Sequence, residues 1–185
     1  MSRIAFELAE KRSGRLLSVD KAESMTSSNL WRTAIHDVAT DYTDVTLEDA
    51  SVEDAIRTVL SDASDLDVLV TTNLFGDIID AVISSRSGSE ILLPSSYLND
   101  TSIGLFIPYR GAEGVGIKGY NTPLSAVLCL ASAMKFSFEL YDESDYVDKA
   151  VDKVMQSNFR TPDISGVDDI TCSAKRITEE VIKNL

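Results

Sequence analysis

The chain has 185 residues, 44% of them hydrophobic and 25% charged, enough to bury one good core or two small ones. Its 30 acidic and 17 basic residues give a net charge of −13, a surface that repels phosphate backbones and argues against nucleic acid as a partner. No apolar run approaches the roughly 18 residues of a membrane span, and Glu7 and Glu10 interrupt any signal-peptide core behind Met1, so no membrane role and a cytoplasmic location are expected.

Ile4, Ala5, Leu8 and Ala9 form an i, i+4 stripe, which predicts a helix stopped by Gly14. Leu16 to Val19 reads as a short strand. Ser27 or Ser28 is placed to cap the next helix, whose apolar face is Leu30, Trp31, Ala34, Ile35, Val38 and Ala39. Val45-Thr46-Leu47 is a predicted strand, and Val52, Ala55, Ile56, Val59 and Leu60 mark another helix. Leu66 to Thr71 is the next strand, followed by a Gly76-Asp77 turn and a further helix. Strands separated by helices argue for an α/β fold with a parallel or mixed sheet flanked by helices.

From Ser84 to Thr122 the pattern is looser and richer in Gly, Ser and Pro, with a strand predicted over Ile103 to Ile107. Pro123 suits the first position of a helix carrying Leu124, Val127, Leu128, Ala131 and Met134 on one face. Another helix uses Val147, Ala150, Val151, Val154 and Met155, and a last one uses Ile177, Val181, Ile182 and Leu185. With one histidine, Cys129 and Cys172, the chain cannot assemble a Cys/His metal cluster, and the two thiols are expected free.

The segment with most chemical content is Thr71-Thr72-Asn73-Leu74-Phe75-Gly76-Asp77-Ile78-Ile79-Asp80. Acids three apart lie about 60° apart around a helix, so Asp77 and Asp80 can face one hard cation. The plainer alternative has Asp77 capping the helix and Asp80 solvated. His36, between Ile35 and Val38, reads as a partly exposed structural histidine. Gly111, Gly114, Gly116 and Gly119 make a loop that, without a helix start behind it, is a weak nucleotide signal.

That segment resembles the N-L-F-G-D-I-L-S-D signature of the β-decarboxylating dehydrogenases, which act on isopropylmalate, isocitrate and related 2-hydroxy acids. The likeness extends along the chain. Ser18-Val19-Asp20-Lys21-Ala22 resembles the family's "VDKAN", Ser28-Asn29-Leu30-Trp31-Arg32 its "SSRLWR", and Gly104-Leu105-Phe106 its "GLFEP". The resemblance implies an isopropylmalate dehydrogenase-like fold, starting about where the second half of such an enzyme starts. Residues 1–92 would be the α/β dimerisation half-domain, and residues 93–185 the helical C-terminal part of the large domain.

The resemblance implies a site as well as a fold. Lys21 matches the catalytic lysine, with a salt bridge to a neighbouring acid as its alternative. Glu53 stands where the family has a metal-binding aspartate, and Asp77 is in place. The next acid comes at Asp80, with Ala81 where the family has its aspartate. Arg110, Gly111, Glu113, Lys118, Asn121 and Thr122 occupy the altered nucleotide loop. If the chain is active, NAD and Mg²⁺ or Mn²⁺ are implied; if not, it needs no cofactor. The arginines that clamp substrate and the tyrosine that protonates the enol belong to the family's other half. The expectation is therefore a truncated protein that does not carry out oxidative decarboxylation alone and serves as a homodimeric scaffold or interaction protein. The alternative is one subunit of a split NAD- and Mg-dependent dehydrogenase, completed by a second polypeptide. For the dimer, Ile78, Ile79, Val82 and Ile83 offer the apolar surface.

Overall fold

A computed structural model describes residues 1–64, 66–87, 92, 94–99, 103–108 and 122–185. The chain divides into two compact units, Met1–Arg86 and Ser87–Leu185. Among the described residues no helix is long and apolar enough to cross a membrane.

The first unit is α/β. Helix α1 (Ser2–Glu10) leads into β1 (Arg15–Asp20), α2 (Thr26–Ala39), β2 (Thr46–Ser51), α3 (Val52–Ser61), β3 (Val68–Thr71) and α4 (Asn73–Ser87). The three strands form a parallel sheet in the order β2-β1-β3. β1 is central, and its alternating side chains supply two cores. Leu16 packs with Phe6, Ile35, Val68 and Val70 on one face. Val19 packs with Val52, Ala55, Phe75 and Ile79 on the other. The path from β1 to β2 moves one way along the sheet over the α2 face. The path from β2 to β3 returns past β1 over the α3 face, as right-handed crossovers require. Gly14 does end the α1 segment: it takes φ +74, a left-handed conformation suited to glycine, and its N–H donates to Ala9 O at 3.0 Å.

Several boundaries differ from the sequence expectation, each for a physical reason. Gly76-Asp77 is not a turn. α4 already runs from Asn73, and the Gly76 N–H donates to Thr72 O at 2.9 Å. Phe75 and Ile79, one turn apart, are both buried in the second core, and that packing outweighs the roughly 1 kcal/mol helix cost of a glycine. Neither Ser27 nor Ser28 caps α2, which starts at Thr26 behind Met25 with no side-chain cap, and Ser28 is buried. On α2, Trp31, Ile35, Val38 and Ala39 pack inward, while Leu30 is 72% exposed. β2 runs on through Glu48 and Asp49 to Ser51, polar residues that an edge strand of this sheet accommodates. Ile79 faces its own core and is therefore not part of the exposed apolar surface.

The second unit contains an antiparallel pair, β4 (Pro94–Leu98) and β5 (Gly104–Pro108), with helices α5 (Leu124–Ser137), α6 (Tyr141–Gln156) and α7 (Ala174–Asn184). Two short strands, β6 (Phe159–Arg160) and β7 (Ile170–Thr171), pair in parallel. Leu124, Ala150, Val151, Val154, Ile177 and Val181 form its core. Both cysteines are free, Cys129 buried and Cys172 half-buried.

At the end of α5, Glu139 takes φ 56 while the Leu140 N–H closes back on Met134 O at 2.9 Å. This is a left-handed helix cap that glycine usually fills. Glu139→Gly is expected to stabilise the protein by about 0.5–1 kcal/mol, because the L side chain is strained there. A raised urea midpoint with an unchanged slope would bear this out.

Candidate functional site

The carboxyl ends of β1 and β2 open onto a cleft of about 660 Å³ in the first unit. In parallel α/β sheets this is where ligands gather. The local sequence builds it from the strand ends outward. Asp20, the last residue of β1, is fully buried, and one carboxylate oxygen accepts the Ala22 N–H at 2.8 Å. The same carboxylate receives two bonds from Arg32 on α2, Nε to Oδ2 at 2.8 Å and an Nη nitrogen to Oδ1 at 2.7 Å. Burial by itself raises the Asp20 pKa. The Arg32 guanidinium and the Ala22 amide outweigh it, and the net direction is downward. The Lys21 carbonyl accepts the N–H groups of Ser24 and Met25, closing the turn that carries Lys21.

Lys21 is therefore presented from a clamped turn. Its ammonium is paired with Glu53, in the first turn of α3. Beside it Ser51 caps α3, accepting the Asp54 N–H at 3.1 Å and donating to the Asp54 carboxylate at 2.7 Å. Arg57 pairs with Asp54 from the next turn. On the opposite wall Asp49 accepts from His36 Nε2 at 2.7 Å and lies 3.8 Å from Arg32. The lining thus holds five carboxylates, Asp20, Glu23, Asp49, Glu53 and Asp54, against three bases, Lys21, Arg32 and Arg57. Each of these bases already faces an acid, so among the described residues the cleft offers no surplus positive charge to an anionic substrate.

The remaining expected site residues lie elsewhere. Asp77 is exposed on α4, where Asn73 Nδ2 donates to it at 3.4 Å. It borders an apolar groove formed by Leu60, Leu74, Ile78, Ala81, Val82 and Ser85. Asp80 is exposed one turn along, and its backbone carbonyl accepts Ser84 Oγ at 2.6 Å. Among the described residues, no three His, Cys, Asp or Glu side chains come close enough together to hold a metal ion. Among the described residues of one copy, Glu53, Asp77 and Asp80 are thus not gathered into a three-carboxylate cation site.

Thr122 belongs to the second unit and is buried. Its N–H donates to Asp163 Oδ2 at 2.9 Å, and its hydroxyl accepts from Leu124 N–H at 3.5 Å, so both groups serve the start of α5. Arg110, Gly111, Glu113, Lys118 and Asn121 lie outside the described residues. His36 is half-exposed and bonded to Asp49, in line with a structural role. Sequence reasoning passed over the partners that shape the cleft, Asp20, Arg32, Asp49 and Arg57. The i, i+3 spacing of Asp54 and Arg57 was a readable signal. The Asp20–Arg32 pairing, twelve residues apart, was not.

Comparison with known proteins places these observations. The family model for isocitrate/isopropylmalate dehydrogenase matches residues 1–182. The 3-isopropylmalate dehydrogenase of Shouchella clausii is 40% identical over 182 residues, covering 98% of this chain and 50% of that protein. Its counterpart from Bacillus subtilis is 39% identical, covering 97% of this chain and 49% of the relative. The chain thus spans about half the length of the curated relatives it matches. Among solved structures, a β-decarboxylating dehydrogenase from Thermococcus kodakarensis superposes with a TM-score of 0.85 at 26% identity, over 99% of this chain and 53% of its own. An isocitrate dehydrogenase from Methylococcus capsulatus, at 24% identity and TM-score 0.84, covers 99% and 54% and shares the fold.

Arg32→Met would leave a fully buried carboxylate without its counter-charge, at an expected cost of about 3–5 kcal/mol in urea unfolding. The pH dependence has a defined sign. Asp67 is also held below the ordinary carboxylate range: burial raises its pKa, but the Ser13 hydroxyl and amide and the Arg12 guanidinium more than offset this. Stability contributed by Asp20 and Asp67 is fully present above their unfolded values, about pH 4, and is lost as pH falls through the lowered folded values. Urea midpoints should therefore drop below about pH 4, and Asp67→Asn should make that drop shallower.

Proposed function

The chain belongs to the isocitrate/isopropylmalate dehydrogenase family, and on that premise we propose that it works as a homodimeric scaffold or interaction protein that does not oxidatively decarboxylate a 2-hydroxy acid by itself. The observation that carries this reading is the groove along α3 and α4. Leu60, Leu74 and Ile78 are 59%, 62% and 44% exposed there, and Ala81 and Val82 continue the surface. Burying a side chain of this size contributes about 1.5–3 kcal/mol. A second copy that laid its own α4 against this one would cover the same residues twice over, as two-fold symmetry requires. The cleft supports the non-catalytic half of the reading, since Lys21, Arg32 and Arg57 are each matched by an acid.

A second reading is favoured by the position of that cleft, at the carboxyl ends of two parallel strands with Lys21 on its rim. In it the chain is one subunit of a split NAD-dependent dehydrogenase, and another polypeptide supplies the clamping arginines and the tyrosine. Mixing the chain with the separately expressed N-terminal half of the Bacillus subtilis relative, with isopropylmalate, NAD and Mg²⁺, tests this by the appearance of NADH absorbance. The first reading expects none.

Sedimentation velocity tests the dimer directly. The wild-type chain is expected to sediment as a dimer at tens of micromolar. Ile78→Glu, which places a charge in the groove, should sediment as a monomer with unchanged far-UV circular dichroism. A wild-type monomer would count against the scaffold reading.

A further inference from the structure

The family resemblance implies that Glu53, Asp77 and Asp80 share a divalent cation, and the arrangement of this chain points the other way. We infer that Glu53 is not a cation ligand here, because the Lys21 ammonium already stands beside its carboxylate as the counter-charge. This rests on reading the cleft as the counterpart of the family's active-site cleft.

Two independent features lead to it. The first is the state of Glu53 itself. Its carboxylate is paired with Lys21, and the adjacent Asp54, the nearest alternative ligand in sequence, is engaged by Ser51 and Arg57. The second is the state of the other donors. Asp77 borders an apolar groove, and the position four residues on is Ala81, which adds no oxygen. A small hard cation holds on to one or two carboxylates in a near-octahedral shell and loses water reluctantly. Here it would meet a positive charge beside one of them.

The backbone that carries that charge is held in place. Lys21 is the residue between Asp20 and Ala22, and the Asp20 carboxylate bonds both the Ala22 amide and Arg32. The turn is thereby held with the ammonium in reach of Glu53. A tethered competitor of this kind acts at an effective concentration in the millimolar range or above, so a free cation at about the same concentration gains little. The ammonium also repels a doubly charged ion directly. Together these set the Lys21 ammonium against a cation at Glu53.

A double-mutant cycle on the full chain separates this from ordinary metal binding. The probe is Mn²⁺ alone, read by the electron paramagnetic resonance signal of the free ion, for wild type, Glu53→Gln, Lys21→Met and the double variant. Wild type and Glu53→Gln are expected to have the same Mn²⁺ affinity, within twofold. Lys21→Met, with Glu53 released, is expected to bind at least tenfold tighter than the double variant. A tenfold loss from wild type to Glu53→Gln would overturn the inference, and so would a Lys21→Met protein no tighter than the double variant. Lys21→Gln repeats the cycle if Lys21→Met proves poorly folded. Sedimentation of the same samples reads the oligomeric state separately, so a failed dimer and a failed cycle are distinguishable.

Discussion

The first unit is organised around one buried ion pair. Asp20 lies at the end of the central strand with no exposure to solvent, and a carboxylate there is tolerable only with its charge and lone pairs met. Arg32 meets them with a two-bond fork, and the Ala22 amide takes a further position. The consequences spread outward from that point. The pair ties β1 to α2, fixes the turn that presents Lys21, and brings Arg32 near Asp49 on the neighbouring strand. Asp49 in turn receives His36, so the edge strand β2 is stitched to α2 by side chains as well as to β1 by its ladder.

The charge arithmetic of the cleft follows from the same constraint. A strand end that buries an acid must recruit a base, and in this cleft each described base, Lys21, Arg32 and Arg57, faces an acid. An enzyme that clamps a dicarboxylate needs the reverse, with cations left unmatched until substrate arrives. The apolar groove along α3 and α4 is of another kind, with Leu74 and Ile78 exposed among the described residues. Phe75 and Ile79 turn one side of α4 into the core, and the flank beside it carries Leu74 and Ile78 exposed and Val82 half-buried. In the cleft each described base faces an acid, while the groove exposes apolar side chains, and that contrast underlies the functional reading.

The sequence made the order and type of elements legible because period-2 and period-3.6 patterns are local. Ala5, Ala9, Leu16, Ile35, Val52, Ala55 and Val59 were read as inward-facing residues, and they are buried. What it could not deliver were features decided by tertiary packing. Gly76 looks like a turn residue until Phe75 and Ile79 are seen in one core, which carries the helix straight through it. Ser28 looks like a cap until the chain buries it. The motif match named Lys21 and Glu53 as site candidates, and both line one cleft, but their mutual pairing depends on how the β1–α2 turn meets α3. The family relationship was legible because whole motifs recur in order, from Asp20-Lys21 through Asn73-Leu74-Phe75-Gly76-Asp77.

The central proposal is that this chain shares the dehydrogenase fold without carrying out oxidative decarboxylation by itself. Calorimetric titration of the purified chain with NADH in the presence of Mg²⁺ tests it most directly. The account predicts no saturable heat up to millimolar NADH. Saturable binding at micromolar strength would contradict it, and would mean that a working nucleotide site survives in this half of the fold.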